Sequence, residues 1–203
     1  MRNFAIASCI GILALGTASA QEFAKFTADV GAGFTAPVGS TGRSTDYGWN
    51  LRGGIGYNAS RWAGVKLNAG FDQLGFTNST LTGFGVPGGD IQVFSATIDP
   101  VIHILPIHHA DVYLTGGGGL FHFYQEFTTP NGSSGVPVFG TTFNGNSVIS
   151  SYTVTKPGFD VGGGMAFGGF KHGRFFAEAK WERAFLNFDR RIDLVPVTFG
   201  FRW

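Results

Sequence analysis

The chain has 203 residues, of which 33 are glycine; aromatic residues make up 15% and charged residues only 13%, with a formal net charge of +1. That charged share is about half of the ~25% usual for a soluble domain. The near-neutral balance excludes a nucleic-acid footprint, and the glycine and aromatic excess points to many short strands and turns in a setting where charge is unwelcome.

The N-terminus reads as an export signal: Arg2 is basic, Phe4 to Leu15 is apolar, and Ala18-Ser19-Ala20 forms a small-residue cleavage site before Gln21. Residues 1-20 are therefore expected to be removed, leaving one domain over 21-203. Cys9 lies within the signal and is the sole cysteine, so the exported protein is expected to have no disulfide. After residue 20 no run of about 18 charge-free apolar residues occurs. The best candidate, 91-107, is broken by Asp99-Pro100. Any membrane crossing must use strands.

Eight alternating stretches follow, near 23-35, 47-58, 62-76, 91-104, 111-127, 155-168, 174-187 and 194-203, separated by Gly, Pro, Asn and Ser clusters. Each is long enough for a tilted transmembrane strand of about 9-11 residues. In chain order, Lys25, Thr27 and Asp29 share one face of the first; Asn50 and Arg52 one face of the second; Lys66, Asn68 and Asp72 one face of the third. Ser95, Thr97, Asp99 and His103 follow in the fourth, Asp160 in the sixth, Glu178, Lys180 and Glu182 in the seventh, and Arg202 in the eighth. The opposite faces are apolar: Phe26, Val30 and Phe34, then Trp49, Leu51 and Ile55, and so on to Phe199 and Phe201. The fifth stretch is ambiguous, because Gly116 to Gly119 place glycine on both faces.

Alternation alone fits any half-buried antiparallel sheet. Glycine decides between the alternatives. Gly31 and Gly33 share parity with Asp29, Gly54 and Gly56 with Arg52, Gly64 and Gly70 with Lys66, Gly162 and Gly164 with Asp160, and Gly200 with Arg202. Charges facing water need no such room. In a closed eight-stranded barrel, whose interior is just wide enough for side chains, long ionic residues fit only beside small ones. The polar and glycine face is thus expected to line the lumen and the apolar face to meet lipid. The expected lumen network comprises Lys25, Asp29, Arg52, Lys66, Asp72, Asp99, Asp160, Glu178, Lys180, Glu182 and Arg202, with nearly cancelling charges. Interfacial aromatic girdles are expected at Tyr57, Trp62, Tyr113, Phe175 and Trp203 on one rim and at Phe34, Trp49, Phe71, Phe94, Phe159 and Trp181 on the other.

The connections alternate in size. Residues 36-46, 78-90, 128-154 and 188-193 form one set, and the short turns near 59-61, 106-110 and 170-173 the other, as in outer-membrane barrels. The stretch 128-154 is long, uncharged and carries Val136, Val138, Phe139, Phe143, Val148 and Ile149 among polar residues. It reads as an extended hairpin above the membrane, a place for a surface partner or a tolerated insertion.

The C-terminal alternation Val195, Val197, Phe199, Phe201, Trp203 resembles the signal read by the barrel assembly machinery of the outer membrane. With it, residues 21-203 resemble the small eight-stranded outer-membrane barrels similar to the membrane domain of outer membrane protein A. The resemblance implies an all-β, antiparallel, up-and-down transmembrane barrel in the bacterial outer membrane, surrounded by its lipid and inserted by that machinery. Since Trp203 closes the last strand, the peptidoglycan-binding domain of outer membrane protein A is not expected.

No Ser or His lies in 194-203 and no His in the long connections, so the arrangements of lipid-cleaving and palmitoyl-transferring barrels are missing and no enzyme is expected. His103, His108, His109 and His172 fall on or beside short turns and read as solvated, without the carboxylate or Cys companions of a metal site. No cofactor is expected. A structural or interaction role fits best. A small-solute pore is the alternative, and a soluble lipocalin-like carrier would need the faces exchanged.

Overall fold

The computed structural model describes residues 24-203 apart from 108, 131-135, 139-140, 144-145, 171-172 and 187-190. The signal segment, Cys9, His108 and His172 lie outside the described residues. The strands are β1 (Phe26–Pro37), β2 (Thr45–Asn58), β3 (Ala63–Phe76), β4 (Gly88–His103), β5 (Ala110–Pro130), β6 (Val136–Val138), β7 (Thr141–Phe143), β8 (Asn146–Phe170), β9 (Gly173–Phe185) and β10 (Arg191–Arg202). Eight of them close a barrel in the order β1-β10-β9-β8-β5-β4-β3-β2, every neighbour antiparallel. β6 and β7 form a separate small hairpin.

Closure pairs the two ends of the domain. Asp29 faces Arg202 and Pro37 faces Leu194 across the β1/β10 seam. At its lower end Trp203 donates its backbone N–H to the Ala28 carbonyl at 2.8 Å and accepts from the Ala28 N–H at 3.3 Å. A barrel satisfies its backbone only when no edge is left, which is why the last residues alternate like any other strand.

The expected all-β up-and-down barrel is the observed fold, with differences at strand ends. β8 begins at Asn146, not near 155, and pairs with β5 as far as Pro130↔Asn146, with an irregularity between Phe127 and Thr128. Much of the stretch 128-154 is therefore ladder. It is rich in Thr, Ser, Val and Tyr, and an antiparallel pair needs no lipid to continue. The connection between β3 and β4 contains α1 (Asn78–Phe84), closed by Gly85 in the left-handed region at φ 65°, whose N–H reaches the Leu81 and Thr82 carbonyls.

Neighbouring residues on one strand differ sharply in exposure. Ile98 is 60% exposed while Asp99 is 0%. Leu51, Ile55, Leu67, Leu114, Leu120, Val161, Met165 and Phe199 are exposed on the outside, whereas Asp29, Lys66, Asp72, Asp160, Glu178, Lys180 and Glu182 are buried inside. Such an exterior cannot face water over this area without associating. Aromatic rings make rows at both ends: Trp49, Phe71 and Phe94 contact in series at 5.2 and 4.8 Å, and Phe175, Phe201 and Trp203 at 5.5 and 5.1 Å. Tyr113 is not part of a girdle. It is 1% exposed and points into the lumen, because its hydroxyl finds charged partners there.

Candidate functional site: a layered lumen

The interior is stacked in layers along the barrel axis. At the short-turn rim, His103 Nδ1 lies 2.8 Å from Asp111 Oδ2 and its Nε2 lies 3.4 Å from Asn58 Oδ1. His103 is thus a paired, largely buried side chain, contrary to its expected solvation; Asp111 follows a turn that folds it back under β4.

The next layer holds Asp29, Lys66, Glu178, Arg202 and Tyr113. Lys66 Nζ sits 2.8 Å from Asp29 Oδ2 and 3.9 Å from Glu178 Oε2, and Arg202 Nε donates to Asp29 Oδ2 at 3.3 Å. The Tyr113 hydroxyl donates to Glu178 at 2.8 Å and accepts from Arg202 Nη2 at 2.9 Å. The Arg202 guanidinium also lies over the Tyr113 ring, 4.5 Å from its centroid.

Above it, Lys180 pairs with Asp99 and, at 3.4 Å, with Asp160, while Asn68 Nδ2 donates to Asp99 Oδ2 at 2.5 Å. The third charged layer centres on Arg52. Its Nη1 donates to Glu182 Oε1 at 2.5 Å and its Nη2 to Asp72 Oδ2 at 2.7 Å. Thr35 donates to Asp72, Asn50 Nδ2 to the Phe34 carbonyl at 2.8 Å, and Thr198 to Asn50 Oδ1 at 3.0 Å, so this layer is fixed to β1 and β10 as well. Asp29, Asp72, Asp99, Asp160 and Glu178 each sit between donors from different strands, while Glu182 is held by Arg52 alone; removing a partner would strand a buried charge.

The space for these side chains comes from glycine. A Cβ on Gly70 would lie 2.8 Å from Arg52 Nη1 and one on Gly164 2.5 Å from the Tyr113 hydroxyl; one on Gly54 would overlap Lys66. At Gly164 the same Cβ would also lie 2.7 Å from the Ala177 backbone carbonyl, which a closed ladder holds in place.

Lys25 is the one expected lumen residue that the structure places elsewhere. It precedes β1, is exposed, and only its carbonyl is engaged, by the Asn58 N–H at 2.8 Å. The ladder begins one residue later, so nothing holds the Lys25 side chain inward. Without it, the excess of carboxylates over cations in the three layers grows from one to two.

The outer part of the lumen is apolar, which alternation did not disclose. Leu74, Ile91, Val93, Phe121, Phe123, Ala184 and Leu194 form a buried cluster on the inward face, with Phe76, Val154 and Ile192 against it. Above it a cavity of about 650 Å³ opens between the long connections, lined by Ser40, Thr41, Ser44, Thr45, Gln125 and Arg191 over that apolar floor. Arg183 donates to Asp193 at 2.6 Å beside this mouth. The residues Val195, Val197, Phe199 and Phe201 lie on the outward face of β10, opposite Ala36, Phe34, Ala32 and Val30. Among the described residues no group of three or more His, Cys, Asp or Glu side chains could hold a metal ion.

A closed antiparallel barrel with an apolar belt, aromatic rims and an ionic interior is an integral membrane barrel. The sequence pattern of the outer membrane protein beta-barrel domain family matches residues 5–169, and the chain belongs to that family. It resides in the bacterial outer membrane. Among solved structures, a major outer membrane protein from Thermus thermophilus is similar over 88% of this chain and 97% of its own, at 13% identity and TM-score 0.59. Neisserial surface protein A is similar over 88% and 96%, at 14% identity and TM-score 0.56. Ail, the attachment invasion locus protein of Yersinia pestis, solved in complex with the heparin analogue sucrose octasulfate, is similar over 88% and 97%, at 22% identity and TM-score 0.51. At these identities the likeness is one of fold. No curated protein matches the chain.

Proposed function

We propose that this barrel is a structural and interaction component of the outer membrane, a rigid scaffold presenting its long connections outward, and that its lumen is closed to solutes. The observation that carries this reading is the stacking of two different seals in one tube. The ionic layers hold Asp72, Asp99 and Glu182 at 0, 0 and 1% exposure, and above them Val93, Phe121 and Phe123 are exposed by 0, 1 and 1%. A conducting lumen needs continuous water, and an apolar constriction of this kind excludes it.

Export begins, in this reading, with cleavage after Ala20, and insertion uses Val195, Val197, Phe199, Phe201 and Trp203 as the strand presented to the barrel assembly machinery. The β5/β8 ladder, which continues through 128-130 and 146-154, supports a role for this hairpin in meeting a surface partner. Chemistry is not part of the reading: His122 donates or accepts only at Thr155, 2.8 Å away on the exposed side, and His103 is engaged by Asp111.

Purified protein in planar bilayers tests the closed lumen. Silence supports the scaffold; stable ion-selective steps would establish the small-solute pore instead. Pull-down of surface components with the protein and with a variant lacking 131-145 tests the partner role, which fails if capture is unchanged.

A further inference from the structure

The two triads of the lumen have the same charge and different bonding. Arg52 lies between Asp72 and Glu182, Lys180 between Asp99 and Asp160, so each triad carries one negative charge beyond its cation. Around Arg52 every carboxylate oxygen accepts a hydrogen bond: Asp72 from Thr35 and Arg52, Glu182 from both Arg52 Nη atoms. Around Lys180 this is not so. Asp99 Oδ2 accepts from Lys180 and Asn68, but Asp99 Oδ1, on a residue with 0% exposure, has no partner. Thr115 Oγ1, on a residue 4% exposed, has none either.

These two oxygens belong to one patch of wall. Asp99 stands opposite Gly117 on β5, and Thr115 is the preceding inward residue of that strand. Diagonal neighbours of this kind lie roughly 7-8 Å apart, their Cβ atoms somewhat closer, within reach of one shared ligand. Gly117 leaves the space: a Cβ there would lie 2.6 Å from Asp99 Oδ1. On its other side Asp160 Oδ1 accepts the Gly117 N–H at 3.2 Å, adding a second carboxylate to the patch.

We propose that the lumen binds one small monovalent cation, of the sodium class, between Asp99 Oδ1 and Thr115 Oγ1. Oxygen donors and a single surplus negative charge suit such an ion, and water can complete its shell. The nearby Lys180 ammonium disfavours a divalent ion, whose charge it would oppose at full strength in a poorly screened interior. The site would neutralise the Lys180 layer and satisfy the acceptors that the protein leaves open.

The test compares purified protein in micelles with sodium chloride or, at equal concentration, N-methyl-D-glucamine chloride, whose cation is too bulky to enter. Sodium should raise the midpoint of heat-induced unfolding saturably, by roughly 3-5 °C for each tenfold gain in the folded-to-unfolded ratio. Thr115→Val, which keeps the shape and removes only Oγ1, should abolish the sodium response while its midpoint without sodium stays near that of the parent. Crystals soaked in thallium(I) should give an anomalous peak between Asp99 and Thr115. Equal midpoints in both salts, an undiminished response in Thr115→Val, or a soaked crystal with only water between the two oxygens would each overturn the proposal.

Discussion

The two halves of the lumen do the same job with opposite chemistry. Toward the short turns, Asp29, Lys66, Asp99, Lys180, Arg52 and Glu182 fill the tube with directed, charge-assisted bonds; toward the long connections, Leu74, Ile91, Val93, Phe121, Phe123 and Leu194 fill it with undirected contact. Each half depends on its neighbours in its own way. A hydrocarbon layer degrades by the volume removed. A charged layer fails by stranding a partner, so its loss exceeds the worth of the bond itself.

The charged half is most vulnerable at Arg52. Arg52→Ala leaves Asp72 and Glu182 buried without their shared cation and should cost about 3-5 kcal/mol in reversible unfolding from lipid vesicles. Replacing the layer as a whole sharpens the point: Arg52→Met with Asp72→Leu and Glu182→Leu should recover most of that loss, because apolar residues of similar volume need no partner. A triple variant as unstable as Arg52→Ala would show that the ionic layer is required for more than filling. In the other half, Phe123→Ala should cost about 3 kcal/mol by the same assay and should enlarge the mouth cavity. On the exterior, Ile98→Lys sets a charge against acyl chains at mid-strand and should cost roughly 2-4 kcal/mol, a penalty that disappears for Ile98→Val. The smallest effect belongs to the mouth: Arg183→Ala breaks the 2.6 Å contact of a partly exposed arginine with Asp193, which keeps Arg191 at 3.5 Å, and should change stability by under about 1 kcal/mol.

Much of this architecture was legible in the residues. Two-residue alternation located the strands, and glycine sharing parity with charge told inside from outside, since only a closed interior needs room beside Arg52 or Tyr113. What escaped notice has physical reasons. Leu74, Ile91 and Val93 share parity with Asp72, Ser95 and Asp99, so a face defined by its charges hid the point where it turned apolar. Gly116 to Gly119 erased the parity of β5, which left Tyr113 looking like a rim aromatic although its hydroxyl bridges Arg202 and Glu178. Lys25 had the right parity and lay one residue outside the ladder. The pairing of His103 with Asp111 spans a turn, and strand periodicity carries no information across a turn. The extended hairpin expected over 128-154 is, at its base, the continuation of β5 and β8 through 128-130 and 146-154; its start at Asn146 was hidden because Gly, Ser, Asn and Thr interrupt the alternation there.

Spin labelling along β4 tests most directly whether ionic and apolar faces are exchanged relative to a protein in water. Cys9 is the sole cysteine and lies in the expected signal, so single cysteines can be placed from Phe94 to His103 without background. In lipid bilayers, collision with dissolved oxygen should peak at Phe94, Ala96, Ile98 and Ile102 and fall at Ser95, Thr97 and Asp99. Maxima at the odd-numbered positions would set the ionic face against lipid, and no alternation would mean that β4 does not divide lipid from lumen.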